Sequence, residues 1–296
     1  MPAVRDVSRD AGFTEIADRI WVARHAWFDV NVSVVAGERG LLVIDTHASE
    51  VAARSVVEDL RRTIGRDVVA VLNTHEHFDH SFGNAVFREA YPGVPLIAHE
   101  DAADRTISAG ERIKALYDGE PDDPHRDEVQ ATTILPADTT FSSVHLVDLG
   151  DRAVELVHPG RGHTSGDVVA RVEDADVLFA GDLVEESAER DGVPGYGSDC
   201  HPMSWPLSLD LVLSLVAGNT VVVPGHGNPV DREFVEEQRS SIGVVAETIR
   251  DLAGRGVPVD EALAAGEWPY PRDLLADAVR RGYAELPRSA RHLPLI

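Results

Sequence analysis

Ligand-type side chains are concentrated in one seven-residue stretch of the sequence, Thr74-His75-Glu76-His77-Phe78-Asp79-His80. It lies just after Val68–Leu72, a continuous apolar run with the length of a buried strand. Because positions two apart face the same way in extended backbone, His75 and His77 can converge on one ion. If a helix begins near Asp79, that carboxylate and the imidazole of the next residue turn toward a neighbouring site. Imidazole and carboxylate groups are the ligands expected for zinc and similar divalent metals, so the stretch predicts a metal site.

Three later segments offer further ligand-type residues at the ends of apolar strands. His163 lies in a glycine-rich turn at residues 160–167, Asp182 follows Phe179-Ala180-Gly181, and His226 lies in Pro224-Gly225-His226-Gly227. Each alone has an ordinary explanation, such as a turn-forming aspartate or a half-buried histidine. All three, however, follow apolar strands at what would be the same sheet edge, where open α/β folds place their ligands. We therefore group them with the first stretch.

Strands and helices interleave along the chain, which predicts a layered α/β fold. Besides Val68–Leu72, strands are predicted over residues 19–24, 31–36, 41–44, 94–98, 144–149, 153–158, 168–172, 177–180 and 220–223. A helix is predicted after Ser49 that ends near Gly65, and others over 82–91, 101–117, 207–216 and 234–253, the last with Asp231 as its N-cap. The polar stretch 118–130 is interpreted as a surface excursion.

Composition and charge exclude several classes of partner. The 296 residues include 27 Lys plus Arg and 51 Asp plus Glu, for a formal net charge of −24, and 43% of them are hydrophobic. These values are typical of a soluble globular protein. Because nucleic acids and anionic membranes need a basic footprint, neither is expected as a partner. No run approaches the ~20 apolar residues of a spanning helix.

Cysteine usage and the first residues indicate the compartment. Cys200 is the single cysteine of the chain, so it has no internal disulfide partner, and no CxxC pair is present for a structural zinc or redox site. The first six residues include the acidic Asp6 and lack the apolar segment of a signal peptide. We therefore expect a cytoplasmic protein.

The motifs together resemble those of the metallo-β-lactamase-fold hydrolases. The resemblance is carried, in family order, by His75-x-His77-x-Asp79-His80, Gly162-His163-Thr164, Gly181-Asp182 and Pro224-Gly225-His226-Gly227, and Asp45 matches an early family aspartate that closes a strand. It implies an αββα sandwich, in which two mixed sheets lie face to face with helices outside and the metals at one edge. On this basis we expect a single domain over residues 1–296, with a C-terminal helical extension at about 255–296.

The resemblance also implies two zinc ions per chain and a role for each motif residue. One metal would be held by His75, His77 and His163, the second by Asp79, His80 and His226, and Asp182 would bridge both. A hydroxide shared by the two ions would attack an ester, thioester or lactone carbonyl of a small-molecule substrate. Asp79 is the implied catalytic residue, because it can orient the hydroxide or pass a proton. Glu76 is interpreted as structural, since alternation points its side chain away from His75 and His77.

The branch of the family is indicated by Asp182. True β-lactamases of this fold generally have Cys or Ser at that position, so the resemblance favours the glyoxalase II-like and lactonase-like hydrolases. The alternatives are a mononuclear oxygenase resembling persulfide dioxygenases, with one Fe²⁺ held by two His and one Asp, a cyclase or thioesterase of secondary metabolism, a β-lactamase, and a non-enzymatic binding module. The sequence predicts neither the substrate nor the oligomeric state.

The sequence also offers candidate residues for the lining of a substrate pocket. Residues 185–205 form a long irregular stretch beside Asp182, which is either a lid or pocket wall or an ordinary connection. Trp27, Phe28, His47 and Phe78 are further candidates for the pocket lining. Cys200, 18 positions after Asp182, is interpreted as an incidental thiol rather than a ligand.

Overall fold

The computed structural model describes residues 6–187 and 192–287 and contains two β-sheets. The first sheet has seven strands in the order β1 to β7, with β1–β4 antiparallel and β4–β7 parallel. Its strands are β1 (Thr14–Ala17), β2 (Ile20–Arg24), β3 (Asn31–Gly37), β4 (Gly40–Ile44), β5 (Val68–Leu72), β6 (Leu96–His99) and β7 (Thr139–Phe141).

The second sheet has five strands in the order β12-β11-β10-β9-β8. Only β11 and β12 run parallel, and the other neighbours are antiparallel. The strands are β8 (Val144–Asp148), β9 (Ala153–Val157), β10 (Val169–Val172), β11 (Val177–Glu185) and β12 (Val221–His226). Both sheets are therefore mixed, as predicted.

Helices cover the outer faces of the two sheets. They are α1 (Glu50–Thr63), α2 (Phe78–Ser81), α3 (Asn84–Ala90), α4 (Glu100–Asp118), α5 (Arg126–Ala131), α6 (Trp205–Leu215), α7 (Arg232–Gly254), α8 (Val259–Ala265) and α9 (Ala276–Glu285). The predicted N-cap of α7 is confirmed, because the Asp231 side chain accepts a hydrogen bond from the Phe234 amide. The N-cap of α1 is Ser49, whose side chain accepts a hydrogen bond from the Ala52 amide.

Three apolar layers hold the sandwich together. Between the sheets, Leu42 and Leu72 of the first sheet share a buried cluster with Leu156 and Phe179 of the second. Outside the first sheet, α1 and α3 bury their apolar sides against the strands. Outside the second sheet, α6, α7 and α9 do the same. The arrangement is an αββα sandwich, which confirms the predicted fold class.

Some elements differ from their prediction. β1 and β7 were not predicted, and both are short strands at the edges of the first sheet. The polar stretch 118–130 contains most of the short helix α5. β11 continues past Ala180 to Glu185, with a register shift at Gly181, whose φ is 52°. Within the described residues, no helix is long and apolar enough to cross a membrane.

Candidate metal centre

The predicted site residues meet at one edge of the sandwich, and both sheets supply them. His75 and His77 follow β5, while Asp79 and His80 lie in α2, which begins at Phe78. From the second sheet, His163 lies in the loop between β9 and β10, Asp182 lies within β11, and His226 ends β12. Strand ends of two sheets thus bring together residues that lie up to 151 positions apart in the sequence.

These residues form two clusters of ligand-type atoms. One contains His75, His77, His163 and Asp182, and the other contains Asp79, His80 and His226. In each cluster the ligand atoms lie within 4.8 Å of one another, so each could hold a metal ion. In the first cluster, His163 Nε2 lies 2.9 Å from His77 Nδ1.

Asp182 lies between the two clusters. Its Oδ2 is 3.4 Å from His163 Nε2 and 3.8 Å from His75 Nε2 in the first cluster. On the other side, His226 Nε2 is 3.1 Å from the same oxygen, and His80 Nε2 is 3.2 Å from Oδ1. One carboxylate therefore contacts histidines of both clusters.

Each histidine has a partner at the ring nitrogen that faces away from its cluster. His163 Nδ1 donates to the Gly195 carbonyl at 2.8 Å, and His226 Nδ1 donates to the Phe28 carbonyl at 2.7 Å. The other three rings also have a partner on the outer side. His80 Nδ1 lies 2.8 Å from Asp45 Oδ2, and His77 Nε2 lies 3.3 Å from Asp199 Oδ2. His75 Nδ1 lies 3.1 Å from the Thr74 hydroxyl.

These contacts decide which ring nitrogen can bind a metal. When the outer nitrogen of a neutral imidazole carries the proton and donates it to its partner, the lone pair is on the inner nitrogen. The hydrogen bonds thus turn ligand atoms inward.

This donor arrangement fits metal ions. His80 Nε2 and His226 Nε2 face each other at 3.2 Å, although both rings already have a partner for a proton at Nδ1. Two lone pairs at that distance repel each other unless a proton or a cation lies between them. Within the described residues, the buried Nε2 of His75 has no hydrogen-bond partner at all. A buried polar nitrogen without a partner is costly, and a metal ion would satisfy it.

The electrostatics of the cluster show how strongly it favours positive charge. Burial by itself lowers the pKa of His226, but Asp182 and Asp79 raise it to about 10. Burial raises the pKa of Asp182, yet the surrounding histidines hold it well below its usual range. Burial lowers the pKa of His163 to about 4, so this ring is neutral at neutral pH. Burial likewise lowers the pKa of His75, whereas nearby carboxylates raise the pKa of His77 and His80 despite their burial. Metal ions would replace the protons that His77, His80 and His226 otherwise bind.

The backbone around the clusters is tightly constrained. Asp45 adopts a φ of 63°, and its carboxylate accepts hydrogen bonds from both the amide and the hydroxyl of Thr74, each at 2.8 Å. Gly225 packs directly against the Asp182 carboxylate, and a Cβ at this position would overlap Oδ1. The glycine is therefore required by the close approach of the two strands.

A largely apolar cavity of about 470 Å³ adjoins the clusters. Its lining includes His77 and Asp79 of the two clusters and the 197–199 turn. The rest of the wall is mainly apolar and comes from α2 and α4, through Phe78, Ala109, Ile113, Ala115 and Leu116. Arg112 is the cationic residue of the α4 wall. The cavity offers room for an apolar substituent next to Asp79.

Several pocket candidates have other surroundings. His47 belongs to neither cluster. It is buried, and the centroid of its ring lies 4.3 Å from that of His25. Cys200 is also outside both clusters, and burial raises the pKa of its thiol well above its usual value. Phe78 does line the cavity. Of residues 185–205, positions 188–191 lie outside the described residues, and the remainder leads into the buried Trp205.

Sequence reasoning missed Asp199 and the carbonyl of Gly195. Both act on histidines of the first cluster from a segment without regular structure. No spacing or periodicity marks such a residue, because it binds a ligand side chain from the far side and not the ion itself. The one indication in the sequence was that Asp199 is a carboxylate close to the predicted motifs.

Comparison with known families supports this geometry. The family model of the metallo-β-lactamase superfamily matches residues 25–226, which contain every residue of the two clusters. The chain belongs to the metallo-β-lactamase superfamily. As a member of this superfamily it is a metal-dependent hydrolase.

Proteins similar in sequence to this chain include metallo-β-lactamases and an alkylsulfatase. A metallo-β-lactamase type 2 from Bacillus cereus is 26% identical over 202 residues, which are 68% of each chain. A linear primary-alkylsulfatase from Pseudomonas sp. is 25% identical over 277 residues, which cover 81% of this chain and 52% of the relative. The chain thus spans about half the length of the alkylsulfatase it matches.

Solved structures of the superfamily show the same fold. A metallo-β-lactamase from Pontibacter korlensis has a TM-score of 0.62 at 22% identity, covering 78% of this chain and 98% of its own. A stereoselective inverting sec-alkylsulfatase from Pseudomonas sp. has a TM-score of 0.71 at 17% identity, covering 92% of this chain and 50% of its own.

Proposed function

We propose that this protein hydrolyses an ester, thioester or lactone bond of a small molecule, with two zinc ions per chain held by the two clusters. The observation that carries the proposal is the contact of Asp182 with both clusters, at 3.4 Å from His163 and 3.1 Å from His226. A carboxylate in this position is suited to two neighbouring cations rather than one.

The ligand set follows from which ring nitrogens face inward. The first ion would be held by Nε2 of His75, Nδ1 of His77 and Nε2 of His163. The second would be held by Asp79 and by Nε2 of His80 and His226, with Asp182 shared. Imidazole and carboxylate ligands without a thiolate suit zinc and also suit iron.

We propose Asp79 as the residue that acts on the substrate. Its Oδ2 lies 3.4 Å from His226 Nε2, and the residue also lines the apolar cavity. Zinc bound there would supply Lewis acidity, which polarises a carbonyl oxygen and makes water acidic near neutral pH. The Asp79 carboxylate would orient the attacking water, accept its proton and pass it to the departing oxygen or sulfur as the bond to the carbonyl carbon breaks. The apolar wall from α4 holds the substituent of the substrate and limits the access of other water.

A sulfate ester is the second candidate substrate. The match to a linear primary-alkylsulfatase extends over 81% of this chain, further than the match to the β-lactamase, and the cavity wall is apolar as an alkyl substituent requires. The same clusters and the same cavity would serve this reaction, with the sulfate group in place of the carbonyl.

Metal analysis followed by a substrate panel tests the proposal. Protein purified without added metal should contain about two zinc per chain. That sample should then hydrolyse at least one of an ester, a thioester, a lactone and an alkyl sulfate, without dioxygen. One iron per chain with oxygen-dependent turnover would replace the proposal by the oxygenase alternative. Strong turnover of a β-lactam with none of the other substrates would replace it by the lactamase alternative.

A further inference from the structure

Asp199 contacts the first cluster from outside. The His77 ring has its Nδ1 2.9 Å from His163 Nε2, inside the cluster, and its Nε2 3.3 Å from Asp199 Oδ2. The Asp199 side chain is 18% exposed. An ionised carboxylate only accepts hydrogen bonds, so the proton of the neutral His77 ring lies on Nε2. The lone pair that can bind a metal is then on Nδ1, facing inward.

The neighbours of Asp199 act on the same cluster. We call residues 195–201 the support segment. Its Gly195 carbonyl accepts a hydrogen bond from His163 Nδ1 at 2.8 Å, and the His201 amide donates to the Gly162 carbonyl at 2.7 Å. Two of the three histidines in the first cluster therefore have their outer nitrogens bound to this segment.

The support segment is itself fixed by the rest of the chain. The Cys200 carbonyl accepts a hydrogen bond from Arg281 Nε at 3.0 Å, and the His201 ring is hydrogen-bonded to Glu285 of α9. The rings of Tyr196 and Trp205 are in edge contact at 5.3 Å, and both residues are buried. Asp199 is thus held in place by contacts that do not depend on His77.

We propose that Asp199 is a positioning residue for the metal centre, which fixes the His77 ring with Nδ1 directed into the first cluster. This inference rests on the proposed function, because it concerns binding of the first metal ion. Partners of this kind orient a ligand ring and raise its basicity, and their loss typically weakens metal binding by about 10–100-fold.

A surface ion pair is the competing explanation for Asp199. Arg112 Nη2 lies 3.1 Å from Asp199 Oδ2, and the Arg112 side chain is 54% exposed. If the ion pair with Arg112 were the only role of Asp199, removing Arg112 would change zinc binding as much as removing the Asp199 carboxylate. Exposed ion pairs contribute little to stability, so we expect substitution of Arg112 to affect zinc binding less than substitution of Asp199.

The test compares Asp199→Ala, Asp199→Asn and Arg112→Met with Asp210→Asn as the matched control. Asp210 is also bound by an arginine, Arg239, but lies on α6 and belongs to neither cluster. Zinc affinity is measured by competition with a chelator, together with zinc stoichiometry and melting temperature. Ring nitrogen NMR of the zinc-loaded protein reports which nitrogen of His77 carries the proton.

We expect Asp199→Ala to weaken one of two zinc equivalents by about 10–100-fold. Asp199→Asn should restore part of this affinity, since its amide oxygen still accepts from His77 Nε2. Arg112→Met and Asp210→Asn should bind zinc as the wild type does. Wild-type affinity in Asp199→Ala with an unchanged His77 tautomer would overturn the inference, as would an equal loss in Arg112→Met. Failure of the wild type to bind zinc would instead overturn the proposed function.

Discussion

Asp182 is the residue on which both clusters converge, and its charge matters as much as its shape. Asp182→Asn retains the shape but removes the negative charge next to four histidines. We expect weaker metal binding at the second cluster and a fall in kcat of about 10²-fold or more, with a smaller change in KM because the cavity contacts survive. Asp176→Asn, an exposed position outside the clusters, is the control. Wild-type kcat in Asp182→Asn would contradict the shared position of this carboxylate.

Gly225 offers an independent test of the same carboxylate. A methyl group at this position would overlap Asp182 Oδ1, so Gly225→Ala should displace the carboxylate and reduce the metal content. Gly218→Ala is the matched control, since a Cβ there meets no atom within 4 Å. Metal content and melting temperature are measured for both variants. A Gly225→Ala protein that is folded and fully loaded with metal would show that the carboxylate can move without loss.

Cys200 distinguishes the carboxylate-based site from a thiolate-based one. Its side chain is buried, and it belongs to neither cluster. Cys200→Ser should therefore leave the metal stoichiometry unchanged, although the buried hydroxyl should lower the melting temperature slightly. Loss of one metal equivalent would revive a lactamase-like ligand set.

At the scale of residues, the sequence predicted which side chains meet but not how they are held. The seven cluster residues were found because ligand-type residues followed apolar strands, and strand ends are the places where a sheet brings distant positions together. Asp199 and Gly195 have no such signature. Their contribution depends on the path of an irregular segment, which local propensity does not determine.

At the scale of elements, helix α7 depends on a single capping residue. Asp231 accepts the Phe234 amide at 3.0 Å, and the helix buries Val235, Ile242 and Ile249 against the second sheet. Asp231→Ala should lower the free energy of unfolding by about 1 kcal/mol, whereas Asp231→Asn should be nearly neutral, because asparagine caps equally well. Urea unfolding measures both. A change in metal content in either variant would contradict a purely local role for this cap.

The elements that the sequence missed have a common physical cause. β1 and β7 each have a single neighbouring strand and no buried residue, so they leave no apolar run in the sequence. Helix α5 is equally hard to recognise, since Val129 is its one buried side chain. The elements with a buried face, such as β5 and α7, were found with nearly correct ends. Burial, rather than the type of element, determined what could be predicted.

At the scale of the whole molecule, we expect stability to depend on metal. The buried Nε2 of His75 has no hydrogen-bond partner within the described residues, and the facing nitrogens of His80 and His226 repel each other unless a proton or a cation lies between them. Zinc at 100 times its Kd should add about 2.7 kcal/mol to the free energy of unfolding and raise the melting temperature. Thermal unfolding is measured after chelation and again after zinc is restored, with Asp182→Asn as the comparison. An identical melting temperature in both states would contradict metal binding by the folded chain.

The supply of ligands from both sheets has a consequence for the unfolded chain. An ion held by His77 after β5 and by Asp182 of β11 would be a reversible cross-link between segments about 100 residues apart. To keep both ligands on the ion, an unfolded chain would have to close a loop of that length, at an entropic cost of about 4.7 kcal/mol by the loop-closure relation for covalent links. In a chain with one cysteine, such a link would take the place that a long-range disulfide has in secreted proteins. We expect separation of the sheets and release of the ion to be a single cooperative event.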